Sequence, residues 1–447
     1  MGDASVTSEA LAIANSFMSS LQSWQRGKLA SVPPVRAHLS FLRCALILSL
    51  IPSSDARSQA PNAAVPSDWR VLGWVSGIKN DGSMRWPSAT RVGDTLYIAA
   101  NVLPAPDRST DGMTAILLRY PGEPLALPAG HRSYAYPKGV LDRRRTYHLL
   151  WGESRNPVVR QGRLALPVVS SIWHAALRHG TWTIPHRIAQ ASAITWSDDQ
   201  GSVAVSADNS LRVVTTQTDT LGRTTILNLR GVGKRWLASS LPGNPTYIAL
   251  ATSSTGLLAA VAYINRDTAA KGHPYTVFVR TSLDGGLHWS PPAPVVRSGD
   301  RVAYSPRLLL ADSSLTLVWL ERTTEADKTL RSFTSANLGR DWTPRNDGIS
   351  LPRTIIRYSL AAPQCRGPIV LVEYLEQTVG GLTSSVLEIV ERDNASANRS
   401  FLRNNLLVSS TSLSANGDTL FAVASTLGSR DAPHHVVVAS RLACSPR

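Results

Sequence analysis

Ser282-Leu283-Asp284-Gly285-Gly286-Leu287-His288-Trp289 is the stretch from which the fold is read. A second copy follows 53 residues later, Ser335-Ala336-Asn337-Leu338-Gly339-Arg340-Asp341-Trp342, with Asn in place of Asp and the Ser, Gly and Trp positions kept. Two partial copies lie upstream, where Trp182 follows Gly180 and Trp236 follows Gly233 without the Ser and Asp. The four indoles at 182, 236, 289 and 342 are therefore separated by 54, 53 and 53 residues. Each residue type has a job in such a turn. A short Asp or Asn side chain hydrogen-bonds the turn backbone, Gly takes a positive φ, and Trp fills the gap between stacked sheets.

Outward from these turns, β-rich apolar runs bounded by turn residues recur with the same spacing. One set, read as the second strand of each unit, starts at Thr95, Thr146, Leu211, Leu257, Leu315, Ile369 and Thr419. A following set starts at Ala115, Ser171, Thr224, Thr276, Leu330, Val386 and His434. Residues 72–447 are 376 in number and hold about seven such periods. A period of this length in a strand-rich chain predicts a radial array of four-stranded sheets, since one unit cannot bury its faces alone. The expectation is one all-β domain, a β-propeller of four-stranded blades. Seven units are counted, and six stay open because chain closure can split one blade between the two ends.

The composition agrees. The chain has 447 residues, 43% apolar and 17% charged, which excludes a disordered chain or a coiled coil. The formal charge of +15 comes from 46 basic residues, of which 40 are Arg. The longest basic run is Arg143-Arg144-Arg145, too little for a nucleic-acid binder, so anionic partners of other kinds are favoured. No apolar stretch reaches the roughly 20 residues of a membrane-spanning helix. The run Ala45–Ile51 follows Arg36 and Arg43 and precedes Ser54-Asp55-Ala56, the layout of a signal peptide with a long extension over 1–56. Residues 57–71 then form a linker to the domain at 72–447, and the mature chain is secreted or periplasmic. Cys44 would leave with the leader, so Cys365 and Cys444 form a candidate disulfide or stay as two buried thiols. There is no His-Glu-x-x-His, no Cys-x-x-Cys and no phosphate-cradling loop, and we expect no metal and no cofactor.

The Ser-x-Asp-x-Gly-x-x-Trp pattern resembles the Asp-box, or BNR repeat, of the sialidase-like propeller superfamily. The resemblance implies a structural role for Ser282, Asp284, Gly286, Trp289, Ser335, Asn337, Gly339 and Trp342, on the rim away from any substrate. It also implies a ligand over the central channel, where first strands converge. Members that are sialidases bind the substrate carboxylate with Arg residues and use an Asp acid/base with a Tyr nucleophile activated by Glu. Arg85-Trp86-Pro87-Ser88 is similar to the segment of the family's first Arg, and Tyr304-Ser305-Pro306-Arg307 offers Arg307 as a second. Asp107 and Asp111 stand where the acid/base would fall. Arg357-Tyr358-Ser359 resembles the nucleophile segment, with Tyr358 as nucleophile and Arg357 beside it.

Two features depart from the family. The segment Gly243-Asn244-Pro245-Thr246-Tyr247-Ile248, where the activating Glu belongs, has no acid. Glu153, Glu321 and Glu373 end second strands and are the substitutes on offer. Sialidases also have six blades, against seven units here. The reading is a monomeric exported propeller binding an acidic glycan or an envelope or extracellular protein, without a complete sialidase catalytic set. The alternative is an exo-acting glycoside hydrolase on acidic glycans.

Overall fold

The computed structural model divides the chain into two compact units, Met1–Gln59 and Ala60–Arg447. It describes residues 70–442 of the second, except for connecting segments. The longer of these are 77–82, 104–113, 155–158, 267–273, 323–327, 346–353, 363–368, 378–382, 392–397, 403–406 and 428–434. The leader at 1–56 and the pair Cys365 and Cys444 lie outside the described residues.

Among the described residues every regular element is a strand, and no helix is long and apolar enough to cross a membrane. β1 (Arg70–Ser76) begins just before the expected domain start at 72 and joins the sheet of the last strands. β2 (Ser83–Val92), β3 (Thr95–Leu103) and β4 (Thr114–Tyr120) form the next sheet in that order. β5 (Ala135–Leu141) pairs with β6 (Tyr147–Ser154), after which β7 (Val159–Arg160) and β8 (Arg163–Leu164) make a small hairpin. β9 (Val169–Arg178) lies beside β6, with β10 (Thr181–Trp182) and β11 (His186–Thr195) on its other edge. β12 (Ser202–Val205), β13 (Leu211–Thr218), β14 (Thr224–Val232) and β15 (Arg235–Leu241) follow.

The remaining strands form regular antiparallel sheets. β16 (Pro245–Thr252), β17 (Ala259–Arg266), β18 (Tyr275–Ser282) and β19 (Ala293–Ser298) make one. β20 (Val302–Ala311), β21 (Ser314–Arg322), β22 (Lys328–Ser335) and β23 (Thr343–Pro344) make another. β24 (Thr354–Ala361), β25 (Ile369–Gln377), β26 (Thr383–Glu391) and β27 (Asn398–Leu402) make a third. β28 (Leu407–Asn416), β29 (Thr419–Leu427) and β30 (His435–Leu442) are completed by β1, giving the order β1-β30-β29-β28.

All fourteen runs read from sequence fall on strands, and each second-strand run pairs with its follower, as β17 does with β18 and β21 with β22. One sheet departs from the four-stranded expectation. β11 pairs through His186–Gln190 with β9 and through Ala193–Thr195 with β13, so two repeats share a nine-stranded ladder. The reason is local: its ten residues contain neither Gly nor Pro, so nothing ends the strand at the boundary.

First strands carry a bulge near their start. The register shifts between Arg85 and Ser88, between Ala135 and Lys138, and between Tyr304 and Arg307. Each bulge contains a proline, Pro87, Pro137 or Pro306, which has no N–H to give the ladder. Tyr136 and Ser305, each preceding its proline, take φ of 49° and 51°.

The core lies between sheets. Leu96, Ile98 and Leu118 pack with Val423, joining the β2–β4 sheet to that of β28–β30. Trp182, Trp236, Trp289 and Trp342 each cover one such core. They lie against the clusters of Leu117 with Leu149, of Ile172 with Leu229, of Val214 with Val261, and of Ala260 with Leu317. The evenly spaced indoles thus occupy equivalent corners, as the spacing predicts. The two full turns are bonded alike. Ser282 Oγ accepts from Gly286 N at 2.7 Å and Ser335 Oγ from Gly339 N at 2.7 Å, while Gly286 and Gly339 take φ of 88° and 80°.

Candidate functional site

Each sheet has two ends. In the β16–β19 sheet Ala259 pairs with Ser282 at one end, where the Ser-Asp-Gly turn sits, and Arg266 pairs with Tyr275 at the other. β16 begins at that second end, with Pro245 opposite Asn265. The strand-start end is where a ligand would meet the first strands, and three groups of polar side chains gather there.

The first lines a cavity of about 350 Å³ formed by Asn244, Asn265, Arg266, Pro274, Thr276, Phe278 and Arg297. Two guanidinium groups and two amides face it, without a carboxylate among the lining residues. Asn265 Oδ1 is buried there without a hydrogen-bond donor. Asn244 belongs to the segment that lacks the family's Glu.

The second group centres on Glu321, 3% exposed at the end of β21. Tyr275 donates its hydroxyl hydrogen to Oε1, Arg301 Nη1 donates to Oε2 at 2.8 Å, and Arg331 Nε lies 3.6 Å from Oε2. Trp319 Nε1 donates to the Tyr275 oxygen at 3.3 Å. Burial first, then the Glu321 charge, push the Tyr275 hydroxyl well above 10. This phenol stays protonated at neutral pH and gives its hydrogen to Glu321, a Tyr–Glu contact that ties β18 to β21.

The third group surrounds Glu153 at the end of β6. Trp173 Nε1 and Ser171 Oγ donate to its Oε2 at 2.8 and 3.3 Å, and His131 Nδ1 is 3.9 Å from Oε1. The His131 ring lies edge-on to Trp173 and Trp151, with centroids 4.3 and 5.0 Å apart. Burial lowers the His131 pKa below 6.5 against the opposing pull of Glu153. The result is a neutral imidazole beside a carboxylate that is 30% exposed, a pair able to bind a cation or share a proton. No group of three or more His, Cys, Asp and Glu with metal-holding geometry occurs among the described residues.

The structure brings Arg307 and Tyr358 together, the guanidinium carbon lying 5.9 Å from the ring centroid. Tyr358 is 3% exposed and donates its hydroxyl to the carbonyls of Ser305 and Val318, the latter at 2.8 Å. The expected nucleophile is thus a phenol packed in the seam between β24 and β21. Arg357 precedes it on β24 opposite Glu373. Arg85 lies on β2 opposite Asn101, and its side chain is outside the described residues, as are Asp107 and Asp111 in the segment joining β3 to β4. Sequence reasoning singled out Glu153 and Glu321 as strand ends and Asn244 as lacking a neighbouring acid. It missed Tyr275, Arg297, Arg301 and His131, which come from separate segments and leave no local spacing.

No family model matches the chain, and no curated protein does. Among solved structures, a polysaccharide lyase of family PL25, an ulvan lyase, aligns at 10% identity and TM-score 0.54, covering 82% of this chain and 95% of that one. Polysaccharide lyase Uly1 aligns at 10% identity and TM-score 0.52, covering 87% and 95%. A phage phi92 endosialidase aligns at 10% identity and TM-score 0.48, covering 85% and 70%. At these identities the likeness is one of fold alone, shared with the two lyases at TM-scores of 0.54 and 0.52.

Proposed function

We propose that the protein is an exported propeller of seven units that binds an anionic polysaccharide at the strand-start end of its sheets. The cavity of Asn244, Asn265, Arg266 and Arg297 carries this reading: its polar lining offers guanidinium forks and amides with no carboxylate to repel an anion. Phe278 adds an aromatic wall of the kind that sugar rings stack on. Support also comes from the PL25 structures, one of which holds -[GlcA(1-4)Rha3S]-, an anionic glycan. The test is calorimetric titration with ulvan and with a neutral glucan. Binding of ulvan alone, weakened about tenfold in both Arg266→Ala and Arg297→Ala, is the expected result. Equal affinity for the neutral glucan, or no effect of either substitution, removes the proposal.

The competing reading, an exo-acting hydrolase with Tyr358 and an acid at Asp107 or Asp111, has the Arg307–Tyr358 contact in its favour. Release of fluorophore from a sialoside by the intact protein, abolished in Tyr358→Phe, would establish it over binding alone.

A further inference from the structure

Three histidines stand in a row on adjacent strands. His148 is on β6, His174 on β9 and His186 on β11. Asp142 Oδ2 lies 3.3 Å from His148 Nε2, without the alignment of a hydrogen bond. His148 Nδ1 is 2.9 Å from His174 Nε2, and His174 Nδ1 is 3.4 Å from His186 Nε2. Trp236 Nε1 on β15 closes the row, donating to His186 Nε2 at 2.7 Å. His148 and His174 are buried, and His186 is half-buried.

One fixed donor assigns the ring hydrogens. An indole N–H can only donate, so His186 Nε2 is an unprotonated acceptor. His174 Nδ1 faces that same acceptor and therefore carries a hydrogen. Its Nε2 then accepts from His148 Nδ1. His174 and His186 are both neutral in this arrangement, and His148 Nε2, facing Asp142, is the ring nitrogen on which a proton can be added without breaking a bond. The charged groups acting on the row are Asp142, held by Asn209 Nδ2 at 3.0 Å from the turn between β12 and β13, and Arg178 on β9.

We propose that the row is an acid-sensitive latch: a proton added to His186 Nε2 sets two donors face to face and frees Trp236 from the seam it covers. Trp236 packs on the core shared by Ile188, Val213 and Leu229. It also lies over Gly231, where a Cβ would come within 2.8 Å of the indole. Losing its bond to His186 loosens both contacts together. Burial depresses His174 well below 6.5, with His148, His186 and Arg178 acting the same way, and burial also lowers His148 and His186. Because these folded-state values lie below the unfolded 6.5, the unfolded chain takes up protons first. Stability is therefore complete above pH 6.5 and falls as pH drops below it.

The experiment follows the thermal midpoint of the intact protein from pH 7.5 to 5, beside His186→Gln, whose side-chain oxygen accepts the indole hydrogen but cannot titrate. The midpoint of the natural protein is expected to fall by several degrees below pH 6.5 while the variant falls by less than half as much. Equal falls in the two overturn the proposal. Should the variant fail to fold, histidine ¹⁵N spectra of the natural protein decide: an unprotonated His186 Nε2 at pH 7.5 that gains a proton as the midpoint drops supports the latch, and any other behaviour overturns it.

Discussion

Asp284 organises the turn after β18 through its carboxylate, whose Oδ2 meets His288 Nδ1 at 2.6 Å. Its Oδ1 accepts from Leu287 N at 2.9 Å, His288 N at 3.0 Å and Ser282 Oγ at 2.7 Å. Asp284→Ala should cost about 1–2 kcal/mol in chemical denaturation, more than Asn337→Ala, whose amide oxygen accepts from Asp341 N and Ser335 Oγ. Partial desolvation opposes ionisation of Asp284, but the bonds from His288, Ser282 and Leu287 outweigh it and hold the carboxyl well below 3.8. A depressed carboxyl contributes stability above its unfolded value, and that contribution is lost as pH falls below 3.8. The second turn carries Asn337 in place of this carboxyl, so Asp284→Asn should flatten the acid limb of the stability curve. Gly286→Ala should cost about 2 kcal/mol, since its φ of 88° is strained for alanine and a Cβ would stand 3.0 Å from the Trp289 ring.

At the scale of strands, Tyr358 ties β24 to its neighbour through the carbonyl of Val318 on β21. Tyr358→Phe leaves that buried carbonyl short of a donor and should lower stability by about 1–2 kcal/mol whether or not any turnover is observed. Ala193→Pro should divide the nine-stranded ladder, because it removes a donor from the stretch where Ala193 pairs with Thr218; slowed amide exchange on β13 would be lost. These two strands also mark how far the sequence could be read. The alternating runs that became β17, β18, β21 and β22 were legible because burial on a pleated face imposes a pattern on neighbouring residues. β11 was not, since no residue within it signals that it serves two sheets. The polar groups were legible only where a strand end named them, as at Glu153. The cavity takes Asn244, Asn265 and Arg297 from three segments, and the histidine row spans separations of 26 and 12 residues, so neither leaves a motif.

Across the molecule, the sheets hold one another by apolar seams, four of them covered by an indole, which makes the fold depend on neighbours more than on any single sheet. The pairing of β1 with β30 is the exception, a backbone junction between distant parts of the chain, from Arg70 opposite Ser440 to Ser76 opposite His435. Removing residues up to 76 should bare the β30 edge, with its Val436-Val437-Val438 run, and give self-association visible by size-exclusion chromatography. The same junction sets a timetable. β1 has no partner until β30 is made, so its edge stays unpaired while the strands between them are synthesised. A chaperone that shields an early β-edge would find its client here until β30 emerges.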